Sequence, residues 1–507
     1  MLRTYFRRLA RSLHALMVLL VGLGACGASA GDRPNVVLFI ADDVSWNDYG
    51  CYGNEHARTP NIDALAANGL QFQNAILTAS SCSPSRASIV TGRYPHNNGK
   101  AAELHLPIAA NLPWFPELLR NSGYYTALCG KNHMKVDKTI GVGLSEPRAK
   151  AFDLIDSSRA KGNSGGHSKW LETTRNRPKD KPFFFWFAAF DAHRGWDADR
   201  EWDANAYGPL HQPNQVAVPP FLRDTGSTRQ DLASYYNEVT RFDFFIGQVV
   251  EELQRQQVLE NTLILILADN GRPFPRATTR LHDSGMKTAL IAHWPKGFRE
   301  SGELKQLVSV IDLAPTILSI AGLPVADSMQ GVSMEPMFQS VSAGIREYAF
   351  SEHNWHDYEA HGRSIRDGRF LYIRNNRPYQ MWQGPADSVR SPSHVDLLQA
   401  RAEADLTDAQ GDVFLNPRPA EELYLVAEDP HQLTNLAGDE SYAADLARLR
   451  RLLEQWSMET ADSIPKALSA DSFDRDSGER IVKGESYRGQ TPGEDRKAWR
   501  VNAPGPR

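Results

Sequence analysis

Three stretches of this chain are apolar without a break over the length of a strand: NVVLFI (Asn35 to Ile40), FFFWFAAF (Phe183 to Phe190) and TLILILA (Thr262 to Ala268). A strand with one face in water alternates apolar and polar residues, so an unbroken run demands cover on both faces, the condition of parallel strands layered between helices. Between the second and third runs, Leu232, Tyr235, Tyr236, Val239, Phe242, Ile246, Val249, Val250 and Leu253 fall at helical spacing and form one apolar face. Strands alternating with helices predict a largely parallel α/β sheet. Each run ends in polar residues: Asp42-Asp43, Asp191-Ala192-His193 and Asp269-Asn270-Gly271. Parallel strands deliver their ends to one edge, and ligands of open α/β sheets bind there. Any one acid after a strand is equally a helix cap. Three such ends together point to a site.

A chain of 507 residues, 41% of them apolar, is long enough for more than one core. The texture changes after about Gly344, where RFLYIRN (Arg369 to Asn375) and EELYLV (Glu421 to Val426) read as strands, and Leu446, Leu449, Leu452, Leu453 and Trp456 as one face of a last helix. These features predict an α/β domain over residues 31–344, a smaller α+β domain over 345–465, and a polar tail over 466–507 that orders only by docking. The 56 basic and 61 acidic residues are mixed throughout and leave a net charge of -5, which argues against a nucleic-acid partner.

Arg3, Arg7, Arg8 and Arg11 precede ALMVLLVGLGAC, the charged and apolar regions of a secretory leader and too short a run for a membrane span. Residues 1–30 therefore predict export, and in a bacterium a periplasmic or outer-membrane protein. Two processing readings compete: cleavage after Ala28 to Ala30 (ASA), or a lipoprotein box, LGAC, in which Cys26 carries a lipid anchor. Beyond the leader stand Cys51, Cys82 and Cys129, an odd number, so at least one thiol is unpaired.

Asp42, Asp43, Asp269 and Asn270 offer only oxygen donors, the preference of hard cations, with calcium favoured over magnesium. In SSCSPSRASIVTGRYP (Ser80 to Pro95), Ser83 suits a cap and Pro84 the first helical position, which sets Cys82 at a helix N-terminus. That end attracts sulfate or phosphate, and Arg86, about one turn in, adds a planar cation. After a strand expected over Tyr124 to Leu128, CGKNHM brings Lys131 and His133 to the same edge, a cation beside an acid–base group.

Together these segments resemble the type I, formylglycine-dependent sulfatases. The resemblance rests on Cys82-Ser83-Pro84-Ser85-Arg86 with Thr91-Gly92-Arg93, on Asp42-Asp43, on GKNH where the family has Gly-Lys-Trp-His, on His193, on Asp269-Asn270-Gly271, and on ELYLVAEDPHQLTNLA. Within the family, SSCSPSRAS, DNGRPFP and WSMET are similar to the N-sulfoglucosamine sulfohydrolases, the heparan N-sulfatases or sulfamidases. The resemblance implies an alkaline-phosphatase-like core with a mostly parallel sheet flanked by helices, and an antiparallel sheet in the smaller domain. It implies hydrolysis of sulfate from a sulfated sugar, the N-sulfate of glucosamine in heparin-type glycans.

It also implies that a maturation enzyme converts Cys82 to formylglycine, whose hydrate carries one hydroxyl to attack sulfur and a second to release sulfate. Asp42, Asp43, Asp269, Asn270 and residue 82 would hold one Ca2+ ion. On the same resemblance Arg86 would hold the hydrate, Lys131 the sulfate, His133 would take the proton whose loss releases sulfate, and His193 would protonate the departing amine.

One position departs from the pattern. The family's sulfate-binding Lys or Arg after Asp-Asn-Gly falls on Thr278, with Arg276 and Arg280 on either side as the expected replacements. From the smaller domain, His353, His356 and His361, with Arg363 nearby, are expected to overhang the site, and His353 to meet the sugar. The competing readings are an O-sulfatase for another polysaccharide, a phosphate or phosphonate monoester hydrolase, and an inactive relative that binds sulfated glycan.

Overall fold

A computed structural model describes residues 33–137, 151–159, 162–481 and 487–507; the leader and Cys26 lie outside them. Strands β1 (Asn35–Ala41), β2 (Leu70–Ile76), β3 (Tyr125–Gly130), β4 (Leu154–Asp156), β5 (Phe183–Ala188), β6 (Thr262–Ala268), β7 (Lys287–His293) and β8 (Gly302–Ser309) form one eight-stranded sheet. Their order is β8-β2-β7-β6-β1-β5-β3-β4, and every pairing is parallel except the two made by β7. The unbroken apolar runs occupy the centre, with Leu38 of β1 paired to Trp186 of β5 on one side and Leu265 of β6 on the other.

Two helical layers explain why those runs do not alternate. Val36, Leu38 and Ile40 enter a core with helices α2 (Cys82–Thr91) and α4 (Leu313–Ile320), whereas Val37, Phe39 and Ala41 enter another with α1 (Pro60–Ala67) and α3 (Gly226–Arg255). Each fully buried Val, Leu, Ile or Phe contributes about 1.5–3 kcal/mol relative to exposure, so both faces of β1 anchor the fold. Helix α3 starts well before its apolar face because the Thr225 side chain accepts a hydrogen bond from the Thr228 N–H and caps it.

The smaller sheet is an antiparallel meander of β9 (Ala349–His353), β10 (Gly362–Arg366), β11 (Phe370–Asn375) and β12 (Glu421–Leu425), with the short helix α5 (Ala386–Val389) between the last two strands. Phe350, Ile365, Tyr372 and Leu423 stand opposite one another across its four strands. That row packs on Leu446, Leu449, Leu453 and Trp456 of α6 (Ala443–Glu459), the face expected from the leucine spacing.

Just past α6, Asp462 takes a bidentate pair from Arg363 of β10, with Nε and one terminal nitrogen at 2.7 and 2.8 Å. Both side chains are buried, and Asp462→Ala leaves Arg363 with Glu352 at 3.7 Å and Asn354 at 2.9 Å but two donors unmet, which is expected to cost about 1–3 kcal/mol in a denaturant melt. A midpoint equal to the wild type's would contradict this reading of the clamp.

Residues 34–507 form one compact unit. The smaller sheet joins the segment that leads from β2 to Cys82: the Glu352 N–H donates to Thr78 O (2.8 Å) and the Ser351 hydroxyl to Leu77 O (2.6 Å). The described residues of the polar tail are docked. Arg93 donates to Val501 O at 2.7 Å, and Arg488 lies 3.2 Å from the centre of the Trp355 ring while pairing with Glu103 at 3.2 Å. Among the described residues no helix is long and apolar enough to cross a membrane.

Candidate active site

β1, β3, β5 and β6 run parallel, so the residues that follow them meet at one edge. Asp42 and Asp43 follow β1, Lys131 follows β3, His193 lies just beyond β5, and Asp269 and Asn270 follow β6. The Asp43 N–H donates to Asp269 Oδ1 (3.3 Å), and the Lys131 ammonium donates to Asp42 Oδ2. Gly130 makes that last contact possible: its φ is 98°, and a Cβ there would lie 1.9 Å from Ala188 O.

Helix α2 closes the site from one side, and all ten of its residues are buried. Cys82 is its first residue and Ser81 its N-cap, with extended backbone. Ser83 is therefore not the cap its sequence position suggests; its hydroxyl instead accepts from the His105 N–H at 2.8 Å. Arg86, one turn in, donates from Nε to Asp269 Oδ2 (2.8 Å) and from a terminal nitrogen to Lys131 O (3.1 Å). The Cys82 Sγ lies 3.7 Å from Asp42 Oδ1. Cys51, Cys82 and Cys129 are all free thiols.

One carboxylate oxygen each from Asp42 and Asp43, together with Cys82 Sγ, lie within 4.8 Å of one another. Burial, and then the Asp42 charge, push the Asp43 carboxyl up to about 8. Burial also opposes ionisation of Asp42, but Lys131, His193 and Arg86 outweigh it and hold that carboxyl below its ordinary value. The Asn270 amide donates to Asp43 Oδ1, which leaves its own Oδ1 buried and without a partner. Adjacent buried acids and an orphaned amide oxygen form an oxygen-rich cradle short of positive charge, which fits a hard divalent cation.

Two histidines at this edge are driven in opposite directions. Burial, then Lys131, depress His133, so its ring is neutral at physiological pH. Its Nε2 meets His105 Nδ1 at 2.6 Å, and its Nδ1 is buried with no protein partner. For His193, burial is outweighed by Asp43 and Asp42, which raise its pKa and favour the imidazolium. Its Nδ1 donates to Arg194 O (3.2 Å), and its Nε2 lies 3.9 Å from Asp387 Oδ2 of α5. Asp42, Lys131, His133 and His193 line one open cavity of about 410 Å³. A neutral imidazole and a protonated one in the same cavity are the two halves of an acid–base pair.

Residues 34–323 match the family model described as Sulfatase, and residues 278–403 match the one described as N-sulphoglucosamine sulphohydrolase, C-terminal. The chain belongs to the sulfatase family. As a sulfatase it is a sulfuric ester hydrolase. It is 30% identical over 485 residues to N-sulphoglucosamine sulphohydrolase of Homo sapiens, spanning 88% of this chain and 94% of the relative. It is also 30% identical over 475 residues to an ulvan-active sulfatase of Formosa agariphila, spanning 84% and 75%. Among solved structures, one in complex with its substrate D-glucosamine-2-N,6-O-disulfate superposes with a TM-score of 0.61 at 20% identity, covering 84% of this chain and 98% of the other. A 2-O GAG sulfatase superposes with a TM-score of 0.62 at 19% identity, covering 84% and 92%. These two share the fold.

This sulfatase does not bring Arg276 and Arg280 to the cavity that Lys131 and His193 line. Arg276 donates to His431 O (2.8 Å) and Gln432 O, and Arg280 to Trp382 O (2.7 Å) and Asp412. Both guanidinium groups pair with Asp412, which Arg418 also approaches, and these contacts hold them in place. Thr278 turns its hydroxyl back onto Gly271 O and Arg272 O and supplies no cation. His353 is buried with its ring edge-on to Trp382, 4.9 Å between centres, and does not line the cavity. His361 and Arg363 belong to the Asp462 clamp rather than to an overhang: Arg363 bonds Asp462, and His361 meets Ser463 O.

Four neighbours of the site had no distinctive sequence signal: His105, Trp355, Asp387 and Arg159. Of the three histidines expected to overhang the site, only His356 comes to the turn that carries Cys82, where its Nδ1 meets the Ser81 hydroxyl at 2.9 Å, while Trp355 packs with Leu104 on Cys82. His105 is the positioning partner of His133. A proton on His133 Nε2 shared with His105 Nδ1 leaves His133 Nδ1 as the free acceptor. His105→Ala is expected to lower kcat roughly tenfold with little change in KM, and His105→Asn to restore part of it. A change confined to KM would assign His105 to substrate binding instead.

Proposed function

We propose that this protein removes sulfate from a sulfated sugar, and that the bond it cleaves is the N-sulfate of glucosamine in heparin-type glycans. The observation that carries this reading is the position of the segment matched by the N-sulphoglucosamine sulphohydrolase C-terminal model: it includes Trp355 and His356, which seat on the turn bearing Cys82. The human relative of that name, aligned over nearly its whole length, supports the same substrate.

In this reading Cys82 is matured to formylglycine, and Asp42, Asp43, Asp269 and Asn270 hold Ca2+. The cation supplies Lewis-acid stabilisation of negative charge on oxygen, and the hydrated aldehyde supplies paired hydroxyls. The protein's own residues do the rest. Arg86 and Lys131 fix the anion, their charges set by Asp269 and Asp42. His193, held by its Nδ1 on Arg194 O, donates the Nε2 proton to the departing nitrogen, so that an amine leaves rather than an amide anion. His133 accepts a proton at Nδ1 as sulfate is released.

A second reading, an O-sulfatase for another polysaccharide, is favoured by the ulvan-active relative. Incubating metal-loaded, matured protein with N-sulfated and O-sulfated glucosamines separates the two. Sulfate released from the N-sulfated sugar is the expected result; release from the O-sulfated sugars alone would reject it. The leader sequence further supports export, and mass measurement of the mature N-terminus decides between cleavage after Ala30 and lipidation at Cys26.

A further inference from the structure

The rim of the cavity carries a cation that no acid among the described residues pairs with. Arg159, just after β4, is exposed, with its guanidinium carbon 3.8 Å from the centre of the Phe190 ring. It lines the same cavity of about 410 Å³ as Lys131, His133 and His193. Among the described residues it makes no ion pair and no hydrogen bond. The acids of the adjoining smaller cleft are engaged elsewhere: Asp191 and Glu238 with Arg241, and Asp197 with Arg200. A guanidinium stacked on an aromatic face is held in orientation while its edge N–H donors stay free.

Its neighbours say which part of a substrate it meets. The cations nearest Cys82 already answer to acids, Lys131 to Asp42 and Arg86 to Asp269, and these are the groups that fix the transferred sulfate. Arg159 instead shares both the main cavity and the smaller cleft with His193, the donor to the leaving group. The anion that suits it therefore sits on the saccharide that departs.

We propose that Arg159 is a specificity residue that binds a second anionic substituent, a carboxylate or a further sulfate, on the saccharide from which sulfate is removed. The proposal rests on the reading of this site as a glycan sulfatase. It assigns the enzyme to sugars that carry a second negative charge.

The test measures binding by calorimetry to the full chain carrying Cys82→Ala, with and without Arg159→Ala. Three probes differ in their second anion: D-glucosamine N-sulfate, D-glucosamine-2-N,6-O-disulfate, and a disaccharide of N-sulfoglucosamine linked to a uronic acid. The affinity of a doubly anionic probe relative to the singly anionic one is expected to fall about tenfold on Arg159→Ala, with Arg159→Lys keeping part of it. The probe that loses the preference shows whether the anion is a sulfate on the same ring or a carboxylate on the next. A ratio unchanged for both probes overturns the proposal. Sulfate release by the unsubstituted enzyme is read separately: no release from any N-sulfated probe with an altered binding ratio refutes the N-sulfate reading alone, and release with an unaltered ratio refutes the role of Arg159 alone.

Discussion

Cys82→Ala is expected to lower sulfate release by at least about 10⁴-fold while costing about 1 kcal/mol of stability or less. The side chain is small and 5% exposed, and its removal leaves the Ser81 cap, the Arg86–Asp269 pair and the packing of α2 in place. Chemically, nothing else at the edge replaces it. As a plain thiol, residue 82 is itself a poor nucleophile: burial, reinforced by Asp42, Asp269 and Asp43 against the opposing charge of Lys131, pushes its pKa well above the ordinary value. Cys82→Ser should therefore be as inactive as Cys82→Ala unless serine too is oxidised in the host. Sulfate release, thermal melting and peptide mass of the same preparations check all three statements. Activity surviving in Cys82→Ala would overturn the assignment of this residue.

Asp43→Asn is expected to cut kcat/KM by about 10³-fold or more and yet to raise the melting temperature of the metal-free protein. The substitution suits the backbone, since Asp43 has φ 63° and Asn tolerates the left-handed region. It removes a carboxyl that burial and Asp42 disfavour, and it weakens the cation cradle. The sign of the pH effect follows. In the metal-free fold burial and the Asp42 charge push the Asp43 carboxyl up to about 8 from an ordinary 3.8, so between those values the folded state keeps a proton that the unfolded chain has lost. Stability of the metal-free protein should fall as pH rises from about 4 towards 8, and the slope should flatten in Asp43→Asn and on adding divalent cation. A metal-free variant that melts below metal-free wild type would reject this account.

The parts of this molecule that were legible in its sequence are those with local or periodic causes. Continuous apolar runs announced strands covered on both faces, and the acids at their ends announced the edge where Asp42, Asp43, Asp269 and Asn270 now meet. The leucine spacing of α6 predicted the face that covers the smaller sheet. Contacts between distant segments have no such signature. Arg276 and Arg280 stand beside Thr278 in sequence, but Asp412, more than a hundred residues on, decides where their charge goes. Ser83 reads as a cap by spacing, whereas the hydrogen-bond demand of the His105 backbone claims its hydroxyl. His105 is an isolated histidine in a loop, and only the fold gives it a partner 28 residues away.

Trp355 and His356, which lie over Cys82, reach the turn across a sequence separation of 275 residues at the Ser81–His356 contact, and Arg488 of the docked tail lies over Trp355 in turn. During synthesis the turn and the cation ligands are therefore made long before the residues that roof them. In the folded chain Cys82 is 5% exposed beneath that roof, so the pocket around it is completed only when the C-terminal residues arrive.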